Sequence, residues 1–401
     1  MGKYIFKVRS NTFIWSNQNT ILAYNSDNYK LYECARTEEI DKCFNELDNI
    51  DNLYVVKLID KPRDNSSLAI WIDNLIKIDA AELFYIDTEE QYIPSIKPIV
   101  RVQDNINRIR NNSDVSELLA SIKELTIHLS GVKHLSDGLK YHQQIIYPQQ
   151  ADVTIKFEVV KEFISNNNIP SDIKLNIVLG KDFEEKNKII SFLTNNFSQV
   201  NLFVRYEDLG AISDIYNYTQ AQCNVTILYS LEHRKDISDE LIKAVCECNS
   251  NVNLIVKSEE DLINAINISS LIHNAVITPV FCDNLDFFKK YVFTTKTELI
   301  KRKLSKRNIF MNQSLNSFFF GKLEIDINGI IWDKIGLNQL GKVTENISVA
   351  MLSIMNNPDT MWFLTREKTI CSGCNYKWIC PPISNYEAYI GIYNSCEEDN
   401  I

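Results

Sequence analysis

Glycine is scarce in this chain, at 11 of 401 residues, and no G-x-G-x-x-G or P-loop run occurs. Glycine-rich turns are what let a backbone close around phosphates, so the usual nucleotide cradles are excluded. No stretch of eighteen apolar residues occurs, and no basic segment followed by an apolar run stands at the N-terminus. Neither a membrane span nor a secretory signal is expected, and position 6 is Phe6, so the myristoylation pattern after Gly2 is incomplete. The expectation is a cytoplasmic protein with no membrane partner. Basic charge is also lacking: the net charge is −10, and the longest basic patch, KRKLSKR at 301–307, reads as a solvated helix end. A phosphate-tracking surface needs clustered cations, so nucleic acid is excluded as a partner. No Ser/His/Asp set suggests nucleophilic catalysis. The ten cysteines of a cytoplasmic chain point to free thiols or metal ligands rather than disulfides.

The chain that remains has 45% apolar residues, enough for a sizeable core, and three textures. Residues 1–95 begin with the alternating runs YIFKV, NTFIWSN and TILAYN, which predict a small antiparallel sheet. Helical spacing comes next at Ile40, Phe44 and Leu47 and again at Leu68, Ile72 and Leu75, with Thr37 and Ser66 or Ser67 as N-caps. The reading is an α+β module of winged-helix type, joined by a helical linker at 96–123 to the middle region. From 124 to 305, six β-rich runs alternate with amphipathic segments: LTIHL (125–129), IKLNIVL (173–179), VNLFV (200–204), NVTILY (224–229), NVNLIV (251–256) and AVITPVF (275–281). Alternation at this spacing predicts a parallel sheet of βα units, and six units suit an open or partial barrel, with a doubly wound sheet as the alternative. In 306–401, FFFGKLEIDINGIIWD (318–333) predicts a hairpin turning at Asn328-Gly329.

Four cysteines close the chain in the pattern C-x2-C-x5-C-x15-C: Cys371, Cys374, Cys380 and Cys396. Two thiolates separated by two residues can grip one metal from a single turn, and later cysteines can complete a tetrahedral set. All-sulfur ligation leaves zinc and an iron–sulfur cluster as the two serious metals. A single knuckle with no histidine after His273 tilts the choice toward iron and sulfide.

The run FFFGKLEIDINGIIW, then CSGCNYKWICPPISNYEAYIG and Cys396, resembles the SPASM domain of radical SAM peptide maturases. The similarity is greatest to the pseudo-radical-SAM proteins of the GG-Bacteroidales peptide modification system. It implies one auxiliary [4Fe-4S] cluster on Cys371, Cys374, Cys380 and Cys396. Ser384 stands where two-cluster members carry a further cysteine, so a second cluster is not implied. For the middle domain the resemblance implies a partial (β/α)6 TIM-like barrel. Here the chain departs from the family: VKHLSDGLKYHQQ after the first strand lacks the C-x3-C-x2-C set, and Gly180-Lys181-Asp182 stands where a Gly-Gly-Glu motif holds S-adenosylmethionine. No S-adenosylmethionine is therefore expected, and no catalytic residue is assigned. His134, Asp137 and His142 in the replacement loop form H-x2-D-x4-H, a possible metal set whose plainer reading is a solvated loop.

The N-terminal module resembles leader-recognition elements, in which a peptide adds as a strand beside a helix; by pattern this points to Leu22 and Tyr24 on the sheet and Leu68, Ile72 and Leu75 on the helix. The expected function is a noncatalytic partner in ribosomal peptide maturation that binds the precursor leader or the active radical SAM maturase. The alternatives are a single-cluster redox or electron-transfer enzyme and a zinc-stabilised peptide-binding protein.

Overall fold

The computed structural model describes residues 3–87, 94–98, 118–135, 140–211, 223–231, 245 and 250–393. Cys396, Asp137, Cys246, Cys248, most of the predicted 96–123 linker and nearly all of the helical pattern at 239–249 lie outside them.

The N-terminal runs form strands as expected, but in two sheets rather than one. β1 (Lys3–Val8) lies between β5 (Val55–Leu58) and β6 (Ala81–Ile86), while β2 (Thr12–Ser16), β3 (Thr20–Asn25) and β4 (Leu31–Ala35) form a second antiparallel sheet. The reason is that the module needs two walls. Helices α1 (Glu38–Asp48) and α2 (Ser67–Lys77) bury Ile40, Leu47, Ile72 and Leu75 in one core with Phe6, Val8, Ile14, Ile21 and Ala23 from both sheets. Both predicted caps form: Thr37 accepts the Ile40 N–H and Ser66 accepts the Ala69 N–H.

All six predicted strands of the middle region are present. β7 (Glu124–Ser130), β8 (Lys174–Leu179), β9 (Gln199–Arg205), β10 (Cys223–Ser230), β11 (Asn251–Val256) and β12 (Ala275–Pro279) pair in parallel, each beside its neighbour in sequence. Among these six strands the spatial order follows the sequence order without reversal. One face carries Ile177, Leu202, Ile227 and Leu254 against α4 (Phe157–Asn166), α5 (Lys186–Asn196) and α6 (Glu259–Ser269), after a one-turn helix α3 (Tyr141–Gln144). On the other face Thr126, Asn176, Asn201 and Asn224 stand in register across four strands. Asn224 donates to Asn201, Asn201 to Asn176 and Asn176 to Thr126, so this polar row satisfies its own amides.

The sheet does not stop at residue 305. After α7 (Leu285–Tyr291), α8 (Lys296–Lys301) and α9 (Lys306–Ser314), β13 (Lys322–Ile325) pairs in parallel with β7, and β14 (Ile330–Trp332) and β15 (Gln339–Lys342) extend the sheet to nine strands. The C-terminal segment is thus continuous with the middle one, and it ends with α10 (Ile347–Asn356), the cysteine loop and α11 (Asn385–Ile390). The hairpin turns at Asn328-Gly329 as predicted. Gly329 sits at φ +74, where a Cβ would meet Val343 Cγ2 at 2.7 Å. Gly329→Ala is expected to cost about 1–3 kcal/mol, read as a lowered urea midpoint; an unchanged midpoint would mean that the turn adopts another conformation.

Candidate functional site

Two places decide what this chain can do: the cysteine loop and the C-terminal ends of the parallel strands. Cys371 lies in a 3₁₀ turn, Ile370–Gly373, and Cys374 caps its end, with the Cys374 N–H on the Cys371 carbonyl at 2.9 Å. The Tyr376 N–H points at Cys374 Sγ at 3.4 Å, and the Cys380 N–H bonds the Tyr376 carbonyl. Cys371 Sγ faces the Tyr393 carbonyl at 3.4 Å and the Arg366 guanidinium at 4.0 Å. Arg366 is 5% exposed and pairs with Glu387, which is 4% exposed, while also donating to the carbonyls of Pro381 and Tyr393. Burial pulls the Arg366 pKa down, but the charges of Cys380, Glu387 and Cys371 outweigh it, so the net shift is upward and the cation is held. Arg302 donates to the Ile379 carbonyl from the other side.

The loop therefore carries three of the four predicted sulfur ligands beside two guanidinium groups. Among the described residues no three His, Cys, Asp or Glu side chains close into a metal-holding group, and the fourth predicted ligand, Cys396, is not among them. Sulfur donors supported by N–H groups and buried cations are chemically suited to an anionic thiolate–metal unit. Of the other described thiols, burial pushes Cys43 and Cys223 up to about 12 and Cys34 to about 11. Ser384 caps α11 by accepting the Glu387 N–H.

At the ends of β7 and β8 the described backbone is closely packed. A Cβ on Gly131 would lie 2.3 Å from the Ala151 carbonyl oxygen, and one on Gly180 would lie 2.7 Å from the Gly131 carbonyl carbon. Ser130 Oγ accepts the N–H groups of Gly180 and Lys181, and the Val132 N–H bonds the Gln149 carbonyl, so returning backbone covers the end of β7. Farther along the same face, Tyr141, Ile145 and Tyr147 pack onto Val178, Phe203, Leu228, Ile255 and Val280. Gln144 pins this plug by a reciprocal pair of hydrogen bonds with the Phe281 backbone, at 3.0 and 2.7 Å.

No family model matches the chain, and no curated protein matches it. Among solved structures it is similar to SuiB of Streptococcus suis bound to S-adenosylmethionine, with 12% identity, 97% of each chain covered and a TM-score of 0.40. It is similar also to SuiB bound to the precursor peptide SuiA, with 10% identity, 97% of this chain and 98% of that one covered and a TM-score of 0.40. A third is hexahistidine-tagged anSMEcpe with bound AdoMet, at 10% identity, 65% and 84% coverage and a TM-score of 0.43. Similarity at this level leaves function to be read from the chain's own side chains.

The candidate peptide-binding residues are placed inside the module rather than on its rim. Leu22 and Tyr24 are 0% and 1% exposed on β3, the central strand of its sheet, where β2 and β4 occupy both edges. They face Leu299, Leu304, Ile309, Tyr376 and Ile379 from the C-terminal segment, and Tyr24 Oη donates to the Leu304 carbonyl at 3.0 Å. A strand cannot add there, which corrects that expectation. Ile72 and Leu75 are core residues of α2 and Leu68 packs against the same core, so that helix face is already covered. Of the possible metal set in the replacement loop, His134 is exposed and His142 sits on α3. Sequence reading missed Arg366, Arg302 and the plug; the C-terminal neighbours of Arg366 carried no motif that announced a buried cation.

Two imidazoles meet at the plug, His142 within it on α3 and His128 on β7. His128 is 2% exposed, and among the described residues neither its Nδ1 nor that of His142 has a hydrogen-bond partner. Burial, then the charges of Lys334 and Lys140, push His142 down to about 4; burial, His142 and Lys334 hold His128 well below its ordinary value. Lys334 itself donates to Glu324 at 2.8 Å and to the His142 carbonyl. Both imidazoles stay neutral in the folded protein while the unfolded chain takes up protons below about pH 6.5. The stability they contribute is present above that pH and lost as pH falls toward 4, about 3 kcal/mol for His142. His142→Gln should flatten the decline in urea midpoint between about pH 6.5 and 4.5; an unchanged slope would show that this imidazole does not resist protonation. Separately, Gly131→Ala is expected to destabilise by about 1–3 kcal/mol, because backbone stands where the methyl would go; tolerance of the methyl, seen as an unshifted midpoint, would mean that the strand end is loosely packed.

Proposed function

We propose that this chain is a noncatalytic, pseudo-radical-SAM partner in ribosomal peptide maturation, built as a partial (β/α)6 barrel with a peptide-recognition module and a SPASM-like cysteine domain. In this reading it binds a precursor peptide or the maturase that acts on it. One [4Fe-4S] cluster is held by Cys371, Cys374, Cys380 and Cys396. When bound, such a cluster supplies a structural cross-link and a one-electron relay. The observation that carries the noncatalytic part is the closed strand end: Gly131 and Gly180 have no room for a Cβ, and Tyr141, Ile145 and Tyr147 fill the face on which a barrel enzyme would hold its ligand. The thiolate-holding part is supported by Arg366 and Arg302 beside the loop and by the N–H on Cys374 Sγ.

Within this reading Arg366 is a positioning residue. It ties the chain after Cys380, through the Pro381 carbonyl, to the chain before Cys396, through the Tyr393 carbonyl, and keeps the two segments together. Anaerobically purified protein is expected to contain about four irons and four acid-labile sulfides per chain, lost in Cys374→Ala, and to release no 5′-deoxyadenosine from S-adenosylmethionine with a reductant. Release of 5′-deoxyadenosine above the background of a denatured control overturns the noncatalytic reading. One zinc with no iron overturns the cluster and leaves a zinc-stabilised binding protein.

A further inference from the structure

A cavity of about 400 Å³ lies between the plug, the loop that joins β14 to β15, and α11. Lys140 and Gln143 line it from the plug, Lys334, Ile335 and Leu337 from the loop, and Tyr389 from α11. Its size is that of a small-molecule site. The loop wall is fixed by its own hydrogen bonds. Asp333 accepts the Lys334 N–H at 2.7 Å and the Asn338 side-chain amide at 2.9 Å, and the Leu337 N–H closes a turn on the Lys334 carbonyl at 3.0 Å. Gly336 sits in that turn at φ +86, with Gln143 Nε2 standing where a Cβ would go, so the plug's amide lies directly over the turn.

The polar groups of the walls are donors in excess. The buried ammonium of Lys334 donates to Glu324 at 2.8 Å and to the His142 carbonyl at 3.2 Å, while Glu324 spends its other oxygen on the Ile335 N–H at 3.0 Å. An ammonium has three protons, and the third has no acceptor among the described residues. The ammonium of Lys140, the side-chain amide of Gln143 and the hydroxyl of Tyr389 also have no hydrogen-bond partner among the described residues. Glu324 neutralises Lys334, and no carboxylate is among the described lining residues, so Lys140 leaves the cavity with a surplus positive charge. A monoanion matches that charge, whereas a dianion would carry an unmatched charge into the cavity. A carboxylate is such a monoanion, and its two oxygens can accept from all these donors. Ile335, Ala388 and Leu337, the last 43% exposed, add apolar surface beside them.

We infer that this cavity binds a carboxylate carried on a short apolar arm, with Lys140, Gln143 and Tyr389 holding the anion and Leu337 covering the arm. None of the predicted metal ligands takes part, so the site goes beyond the proposed function and stands whether or not the chain holds metal. Its walls come from the plug, the loop and α11, so a bound ligand cross-links all three and stabilises the folded chain by mass action.

The test titrates isovalerate, a carboxylate on a short branched arm, into the full chain and follows it by saturation-transfer NMR. Isovaleramide supplies the same arm without the charge. Lys140→Glu reverses the surplus charge, and Gln143→Leu removes the amide at nearly constant volume; circular dichroism checks that both variants fold. Lys334 is left in place, because its loss would strand the buried Glu324. The expected result is saturable binding of isovalerate that isovaleramide does not show, weakened about tenfold or more in each variant. Equal binding of isovalerate and isovaleramide, or equal affinity for isovalerate in wild type and either folded variant, overturns the site. Inorganic phosphate that binds more tightly than isovalerate, and is lost in the same variants, overturns the carboxylate. Acetyl-glycyl-leucine, which carries a carboxylate and a similar arm at a peptide C-terminus, separates the two sources. Tighter binding of this peptide supports the site with a peptide end as its ligand, and tighter binding of isovalerate supports it with a free acid. Binding of none of these probes overturns the proposal.

Discussion

β13 lies beside β7, held by four residues in parallel register and by Gly321, whose carbonyl takes the N–H groups of both Lys123 and Glu124. Gly321 sits at φ +85 with the Ser121 carbonyl 2.6 Å from where a Cβ would be, so the approach depends on the absence of a side chain. The whole run of βα units separates these strands in sequence, and their pairing returns the chain to the first strand of the sheet. Everything after residue 322 hangs from this contact. Trp362 Nε1 donates to the Lys322 carbonyl at 2.9 Å, and Asp333 accepts the Met361 N–H at 2.7 Å, so the start of the cysteine segment is tied to the hairpin that extends the sheet.

With that attachment made, the C-terminal segment and the sheet's inner face share one polar system. Lys334 and Glu324, at 4% and 14% side-chain exposure, form an ion pair beneath the plug, and Arg366 with Glu387 forms another beside the thiols. Buried ion pairs of this kind contribute little net stability over apolar packing, and removing one partner is costly. Their value lies in geometry. Arg366 draws the backbone on either side of the cysteine loop together around the sulfur atoms, and Lys334 holds the His142 carbonyl that anchors the plug.

The N-terminal module is joined to this arrangement through β3, which is buried on both faces. Ile21 and Ala23 pack into the module's own core, while Leu22 and Tyr24 pack against the cysteine segment.

The local code of this chain was legible. Alternating and helical periodicities marked all six parallel strands, Thr37 and Ser66 marked helix starts, and Asn328-Gly329 marked the turn, because each depends on neighbours within a few residues. The missing cysteines after β7 and the C-terminal cysteine spacing were legible for the same reason. Tertiary structure alone decided that β1 and β2 belong to different sheets, that Leu22 and Tyr24 face a core rather than an incoming strand, and that Tyr141, Ile145 and Tyr147 pack on a face of the parallel sheet. Tyr24 meets Leu304 across 280 residues of sequence, and Gln144 meets Phe281 across 137. Contacts of that range are chosen by which surfaces remain to be covered once the local elements exist, and periodicity within a segment carries no information about that choice.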